Sequence, residues 1–377
     1  MRVTRLALRS FRSYAAADVL LGEGLTVISG RNGAGKTNLL EAIYFACTGR
    51  ACRTANEREL IAFGAGVTRL ELTAEDDQGA HEITVGYGTL PGNPKPEKRM
   101  TVDGAPVERL TDSRARPLVS VFLPDRLELV TGTPSLRRGH LDQVVVALWP
   151  ARGEARRAYS AALAQRNALL VSIRSGRATA ASLPAWDAEL ARHGIVLMAQ
   201  RAELVARLQD AFAEHAAGLG LEDEPGLRYR PRSRAASADE LAAELAERTQ
   251  SDLDRGFTGH GPHRDDLVFS RAGRELRAYG SRGQQRLGLL ALLLAERDAL
   301  AEERGTPPLM LLDDVMSELD AGRRERLVTV LQARGQSVLT TTELAHVPGA
   351  DGPDVVRLAV ADGAVLQAAG LPEAQAG

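Results

Sequence analysis

The chain has 377 residues, 44% hydrophobic and 25% charged, with a formal net charge of −2. This is the balance of an ordinary soluble protein with room for two or three domains, and with 4% aromatics its core must be mostly Leu, Val and Ala. Bulk charge therefore announces no polyanionic partner, which local arginine clusters would have to meet, and no apolar run is long enough to span a membrane.

The N-terminal stretch reads as β-rich. Strands are predicted over 3–8, 25–28, 69–73, 82–87, 99–102 and 118–122, with Asp103-Gly104 as a hairpin turn and 88–97 as a Pro/Gly loop. Between the strand at 25–28 and a helix predicted over 37–46 stands Gly30-Arg31-Asn32-Gly33-Ala34-Gly35-Lys36-Thr37. It meets G-x-x-x-x-G-K-[ST] at every fixed position. Its glycines let backbone N–H groups turn inward around phosphate oxygens, and the helix start adds partial positive charge there. Lys36 is expected to reach the β/γ-phosphates of ATP, and the Thr37 hydroxyl to hold Mg²⁺. The chain has only three lysines, Lys36, Lys95 and Lys98, so a compact ammonium is used sparingly. Cys47 and Cys52 form neither a disulfide framework nor a zinc set; two reduced thiols or a redox pair both fit.

From 137 to 219 the chain is Ala-, Leu- and Arg-rich with helical spacing. Tyr159, Leu163, Leu170 and Ile173 share one face, and Leu190, Leu197, Leu204, Leu208 and Phe212 form another stripe. Ser182 is a candidate cap for a helix starting near Pro184. Residues 221–236 read as a loop or edge segment. α/β character then returns, with a buried helix over 284–296, a central parallel strand at 309–312, another strand at 336–342, and a hairpin around Asp362-Gly363. The predicted organisation is one ATPase domain split into 1–135 and 256–367, a helical insert at 136–255, and a disordered tail at 368–377.

The strand at 309–312 ends in Asp313-Asp314. Asp313 is placed to hold Mg²⁺, directly or through water, and Asp314 to act as general base on the attacking water. Upstream, Ser281-Arg282-Gly283-Gln284 opens the long apolar helix. It can be an ordinary helix cap, or an anion-binding helix start that meets a phosphate held by another subunit.

Taken together these blocks resemble the RecF family of bacterial recombinational-repair ATPases, related to the heads of chromosome-structuring proteins. The resemblance runs through Leu8–Tyr14, Gly30–Tyr44, Pro124-Asp125, Leu129–Pro134, Arg137-Arg138, Asn167–Leu170, Gly261–Asp266, Ser281–Arg286 and Leu311–Asp320, leaving out little but the tail. It implies an α/β ABC-type ATPase head without long coiled-coil arms. Ser281, Gly283 and Gln284 would be the signature that closes the partner's site, and Ser317 and Asp320 would lie in the loop at a dimer interface. Arg12 and Asn38 would approach the nucleotide. The implied activity is weak, DNA-stimulated ATP hydrolysis. An ATP-driven homodimer would clamp duplex DNA near single-strand gaps, with RecO and RecR as partners and RecA loading as the outcome, in the cytoplasm and away from any membrane. This would serve replication, the SOS response and damage repair.

The sequence also departs from the family pattern. His140 follows the Arg pair where an aromatic is usual, Thr340–Glu343 lacks the switch His of transporter subunits, and Asp314 replaces the more common Glu, whose longer reach suits faster hydrolysis. A transporter nucleotide-binding subunit and an ATP-dependent nuclease are the alternatives. His260 and the Gly261–Asp266 block offer metal-ligand types, but as a turn whose charges pair locally they need no metal. Arg137-Arg138, Arg156-Arg157 and Arg228, Arg230, Arg232 and Arg234 are either solvated faces or DNA phosphate contacts.

Overall fold

The first strand, β1 (Arg2–Phe11), buries Val3, Leu6, Leu8 and Phe11. The change from Val3 to the even positions Leu6 and Leu8 follows from a register irregularity between Val3 and Arg5, and the alternation shifts again at Ser10, φ +53°, before the buried Phe11. The computed structural model describes residues 1–89, 95–110, 113 and 115–368. It divides into two compact units, Met1–Arg126 with Leu300–Gly377, and Leu127–Ala299.

In chain order the first unit continues with β2 (Tyr14–Leu20), β3 (Leu25–Ser29), α1 (Lys36–Thr48), β4 (Val67–Asp76), β5 (Gly79–Gly88), β6 (Glu97–Val102), β7 (Ala105–Pro106) and β8 (Val119–Phe122). The second unit holds α2 (Glu128–Thr131), α3 (Pro134–Leu148), α4 (Gly153–Arg174), α5 (Leu183–Gly218), β9 (Gly226–Arg230), α6 (Ala238–Glu247), α7 (Thr249–Arg255), β10 (Asp266–Arg271), β11 (Arg274–Glu275), α8 (Leu276–Tyr279) and most of α9 (Arg282–Arg304). The chain then returns to the first unit with β12 (Leu309–Leu312), α10 (Ala321–Ala333), β13 (Ser337–Thr341), β14 (Val355–Ala361) and β15 (Ala364–Ala368).

Two sheets build the first unit. One is antiparallel, in the order β2-β1-β4-β5-β6-β7; the other runs β15-β14-β3-β13-β12-β8, parallel except for the β15 hairpin edge. The helix α1 packs on both, and its Leu39, Leu40, Ile43 and Phe45 share one core with Leu6, Leu72 and Val85 of the first sheet and Leu311 and Val338 of the second. The strand β12 is wholly apolar, and β3 and β13 are buried along nearly their whole length, because both faces are covered. β2 escapes the sequence pattern because its three alanines blur the alternation.

In the second unit α4 and α5 pack along each other over a core of Tyr159, Ala162, Leu190, Leu197, Met198, Leu241 and Leu245. The stripe predicted from Leu190 to Phe212 is buried. Among the described residues α5 is the longest helix, at 36 residues, so no long coiled-coil arm is present. Ser182 precedes α5 but its side chain caps nothing: its backbone is already helical, and a 3₁₀ turn at Ala180–Ser182 leads into the helix.

The unit boundary differs from the predicted 136–255 insert. Residues 256–299 group with the helices because β9 pairs with β10 in a three-stranded sheet, and because α3 and α5 hold the following loop through buried charges. Most of the tail predicted as disordered, 369–377, lies outside the described residues, as do 90–94 of the predicted loop.

Candidate functional site

The loop between β3 and α1 has the backbone its glycines require. Gly33 and Gly35 sit at φ +82° and +114°, and a Cβ at Gly30 would collide with the Val360 carbonyl. Gly35 starts α1 with no side-chain cap, and the first turn carries no acidic residue, so its N–H groups are left for an anion. The Tyr14 hydroxyl donates to the Gly35 carbonyl at 2.9 Å and props the loop from β2.

Lys36 is 7% exposed, and its Nζ donates to the Gly30 and Arg31 carbonyls at 2.8 and 3.0 Å. Burial pulls its pKa below the usual lysine range, against the opposing pull of Asp314 and Asp313. The Thr37 hydroxyl lies 3.0 and 2.9 Å from the two carboxylate oxygens of Asp313. These hard oxygen donors, side by side at a strand end next to the phosphate loop, fit Mg²⁺, which takes one or two protein carboxylates and completes its shell with phosphate and water.

Thr340 was not anticipated from the sequence. β13 lies between β3 and β12, so the Thr340 hydroxyl donates to Asp313 Oδ1 at 2.7 Å and accepts the Asp314 N–H at 2.9 Å. It thereby orients both acids. Asp314 adopts φ +47°, a left-handed turn that Asp tolerates better than most residues and that redirects the chain just after the strand. Ser317 donates to the Asp314 carbonyl at 3.1 Å, while Asp320 caps α10 by accepting the Arg323 N–H at 2.9 Å.

Arg12 does not stand free over the loop. Its guanidinium makes two bonds, 2.9 and 3.2 Å, to Glu41, a fully buried acid on α1. Asn38 donates to Ser13 at 3.0 Å and accepts from Arg53. The contact with the phosphate loop from this stretch comes instead from Ser13 and Tyr14, which pack against Gly35.

In the second unit Ser281 and Gln284 form a reciprocal capping box: the Ser281 N–H donates to Gln284 Oε1 at 2.8 Å and the Gln284 N–H to Ser281 Oγ at 3.3 Å. Ser281, Arg282 and Gly283 are exposed, so the start of α9 is open to solvent.

Several of the other candidates resolve into structure. Arg137 is 2% exposed and clamps Asp266 at 2.6 and 3.1 Å, so it is neither a solvated face nor a DNA contact. Arg230 reaches Glu275 and Asp266. Asp265 accepts from the Tyr229 hydroxyl and the Arg232 N–H and lies 3.4 Å from Arg201. His260 meets Glu244, and His263 meets Tyr159 and the Thr258 carbonyl. The two acids of the Gly261–Asp266 block are thus paired with arginines far along the chain rather than locally, while Arg264 meets no acid among the described residues and donates to the Thr258 carbonyl at 3.5 Å. His140 makes a buried 2.6 Å pair with Glu296, a polar contact and not only packing. Cys47 and Cys52 are free, and burial pushes both thiols up to about 12.

The two units carry the fold of an ABC-type ATPase head, with a P-loop and an acidic strand end on one unit. A family model described as the RecF/RecN/SMC N-terminal domain matches residues 2–358. The chain belongs to the RecF family: it is 39% identical to the DNA replication and repair protein RecF of Anaeromyxobacter sp. (strain Fw109-5), over 97% of this chain and 99% of the relative. It is 38% identical to that of Myxococcus xanthus, over 97% of each. Among solved structures, the recombination mediator protein RecF with ATPrS superposes with a TM-score of 0.83 at 27% identity, covering 97% of this chain and 98% of that one. An Smc head bound to the C-terminal winged-helix domain of ScpA shares the fold, with a TM-score of 0.57 at 17% identity over 98% of each chain. Nothing here supports the transporter-subunit or nuclease alternatives.

Proposed function

We propose that this chain is an ATP-dependent DNA-binding protein of recombinational repair and replication-fork maintenance, acting as a slow, DNA-stimulated ATPase in the cytoplasm. The observation that carries the ATPase half is the contact of Thr37 with Asp313 beside Lys36. The repair half rests on full-length relatives named DNA replication and repair proteins, and on solved RecF structures with ATP and ATPrS.

In this reading the backbone N–H groups of Gly30 to Thr37, namely Gly30, Arg31, Asn32, Gly33, Ala34, Gly35, Lys36 and Thr37, cradle the phosphates of ATP. Lys36 exchanges its two carbonyl partners for phosphate oxygens. Thr37 and Asp313 hold Mg²⁺, which when bound offsets the negative charge of the phosphates. Asp314, oriented through Thr340, aligns the attacking water; its short side chain keeps hydrolysis slow. The exposed start of α9 presents Ser281, Gly283 and Gln284 to the γ-phosphate held by a second copy, with Ser317 and Asp320 at the same interface. Because ADP lacks that phosphate, ATP alone favours the dimer. The dimer clamps duplex DNA near single-strand gaps and releases it on hydrolysis, working with RecR and RecO to load RecA.

Sedimentation with ATP, ADP or no nucleotide, with and without duplex DNA, tests this. The native chain should dimerise only with ATP; Lys36→Arg should lose nucleotide-driven dimerisation, and Ser281→Arg should bind ATP yet stay monomeric. Dimerisation indifferent to nucleotide would refute the clamp.

A further inference from the structure

The loop after α7 carries more restraint than a connection needs. Gly256 and Gly261 bracket it at φ +77° and +121°. Thr258 donates through both N–H and hydroxyl to Asn167, at 2.8 and 2.7 Å, and Arg166 reaches its hydroxyl at 2.8 Å. The Gly259 N–H donates to Asp252 at 2.9 Å, and Arg201 donates to the Pro262 carbonyl at 2.8 Å. Arg166 and Arg201 are 0% and 3% exposed, so buried charge pins the inner side of this loop.

Its outer side is a basic concavity of about 430 Å³, lined by Arg232, Arg255, Phe257, Gly259 and Arg264. No carboxylate lines it. Among the described residues no acid pairs with Arg232, Arg255 or Arg264, nor with Arg174, whose guanidinium lies against Gly256. Phe257 remains 42% exposed although the Arg264 guanidinium sits 5.3 Å from its ring centre. In a chain with net charge −2, guanidiniums that meet no acid here gather around an open aromatic ring, Arg264 donating to the Thr258 carbonyl at 3.5 Å.

We infer that this concavity binds single-stranded nucleic acid, with Arg232, Arg255 and Arg264 on successive phosphates and a base stacked on Phe257. The inference rests on the DNA-binding reading above and names a strand and a surface for it. Guanidiniums alone would accept carboxylates as readily as phosphates. The exposed ring decides for a nucleic acid, because every base offers a π-face, and for an unpaired strand, because duplex bases are already stacked on one another. A rigid loop favours such a contact by lowering the ordering cost of binding. The proposal also gives the Gly261–Asp266 block a role: its inward charges position Arg264 and Phe257.

Fluorescence anisotropy of the full chain with labelled oligothymidylate, and separately with blunt duplex, over a salt series tests it. Arg255→Ala/Arg264→Ala should flatten the log–log salt slope for the single strand by about 1.4, near 0.7 per lost contact. Phe257→Ala should weaken single-strand binding roughly tenfold, and Phe257→Trp should restore it and show quenching by the oligonucleotide. Duplex binding and ATP binding should stay unchanged, which also certifies the fold. Single-strand affinity that the double variant leaves intact overturns the inference. So does competition by polyglutamate where oligothymidylate fails, which would assign the surface to an acidic polypeptide. A native chain that binds duplex but no single strand sinks this inference alone; one that binds neither sinks the DNA-binding reading with it.

Discussion

The Thr37 hydroxyl meets both carboxylate oxygens of Asp313, at 3.0 and 2.9 Å, across 276 positions of sequence. The contact joins the phosphate loop to the acidic strand end within one unit. It depends on β13 standing between their strands, and so on Thr340, which lies under both acids.

Thr340→Val keeps the volume but removes the donor to Asp313 and the acceptor for the Asp314 N–H. The expected result is ATP hydrolysis slowed roughly 10- to 100-fold, as for groups that orient metal ligands, with ATP affinity little changed. Single-turnover hydrolysis beside equilibrium binding of a fluorescent ATP analogue checks it; equal losses in both would show that Thr340 serves only the fold.

Gly35→Ala places a Cβ 3.0 Å from both Ser13 Oγ and the Tyr14 hydroxyl, at a backbone φ of +114° that side chains disfavour. Such strain costs about 1–3 kcal/mol, and the loop relaxes by moving its N–H groups. ATP affinity should fall roughly tenfold while thermal unfolding moves by only a few degrees. Calorimetric titration with ATP measures the first effect and circular dichroism the second.

Arg201, 3% exposed, donates to Asp142 at 2.8 and 3.0 Å. Arg201→Met leaves the buried Asp142 with the half-exposed Arg156 at 3.5 Å and should destabilise the second unit by up to about 3–5 kcal/mol. Arg201→Met/Asp142→Leu should cost less than the sum of its two single variants, a coupling that denaturant unfolding of all four proteins would reveal.

His263 donates from Nε2 to the Thr258 carbonyl at 2.9 Å, and its Nδ1 lies 2.7 Å from the Tyr159 hydroxyl, which can donate to the neutral ring. Burial pulls its pKa down to about 4 from 6.5, helped by Arg264 and Arg138 and opposed by the Thr258 carbonyl and Asp252. Between these values the unfolded chain binds the extra proton. This contribution to stability is therefore whole above about pH 6.5 and is lost as pH falls toward 4. Melting temperatures of the native chain and His263→Gln, compared across that window, should converge on acidification.

The glycine loop and the acidic strand end were legible in the sequence because their signals are short. Eight consecutive residues specify the phosphate loop, an apolar run names the strand behind Asp313, and Asp-Gly pairs mark the hairpins at 103–104 and 362–363. Each is a local conformational preference, readable within a few positions. Tertiary structure alone decided which distant groups would meet: Thr340 under Asp313, Glu41 taking Arg12, Asp266 burying Arg137, and β9 pairing with β10 to draw 256–299 to the helices. An arginine's letter is the same whether it is solvated or paired. Burial and partner depend on strand order and packing between segments far apart in the chain, and no window of sequence contains them.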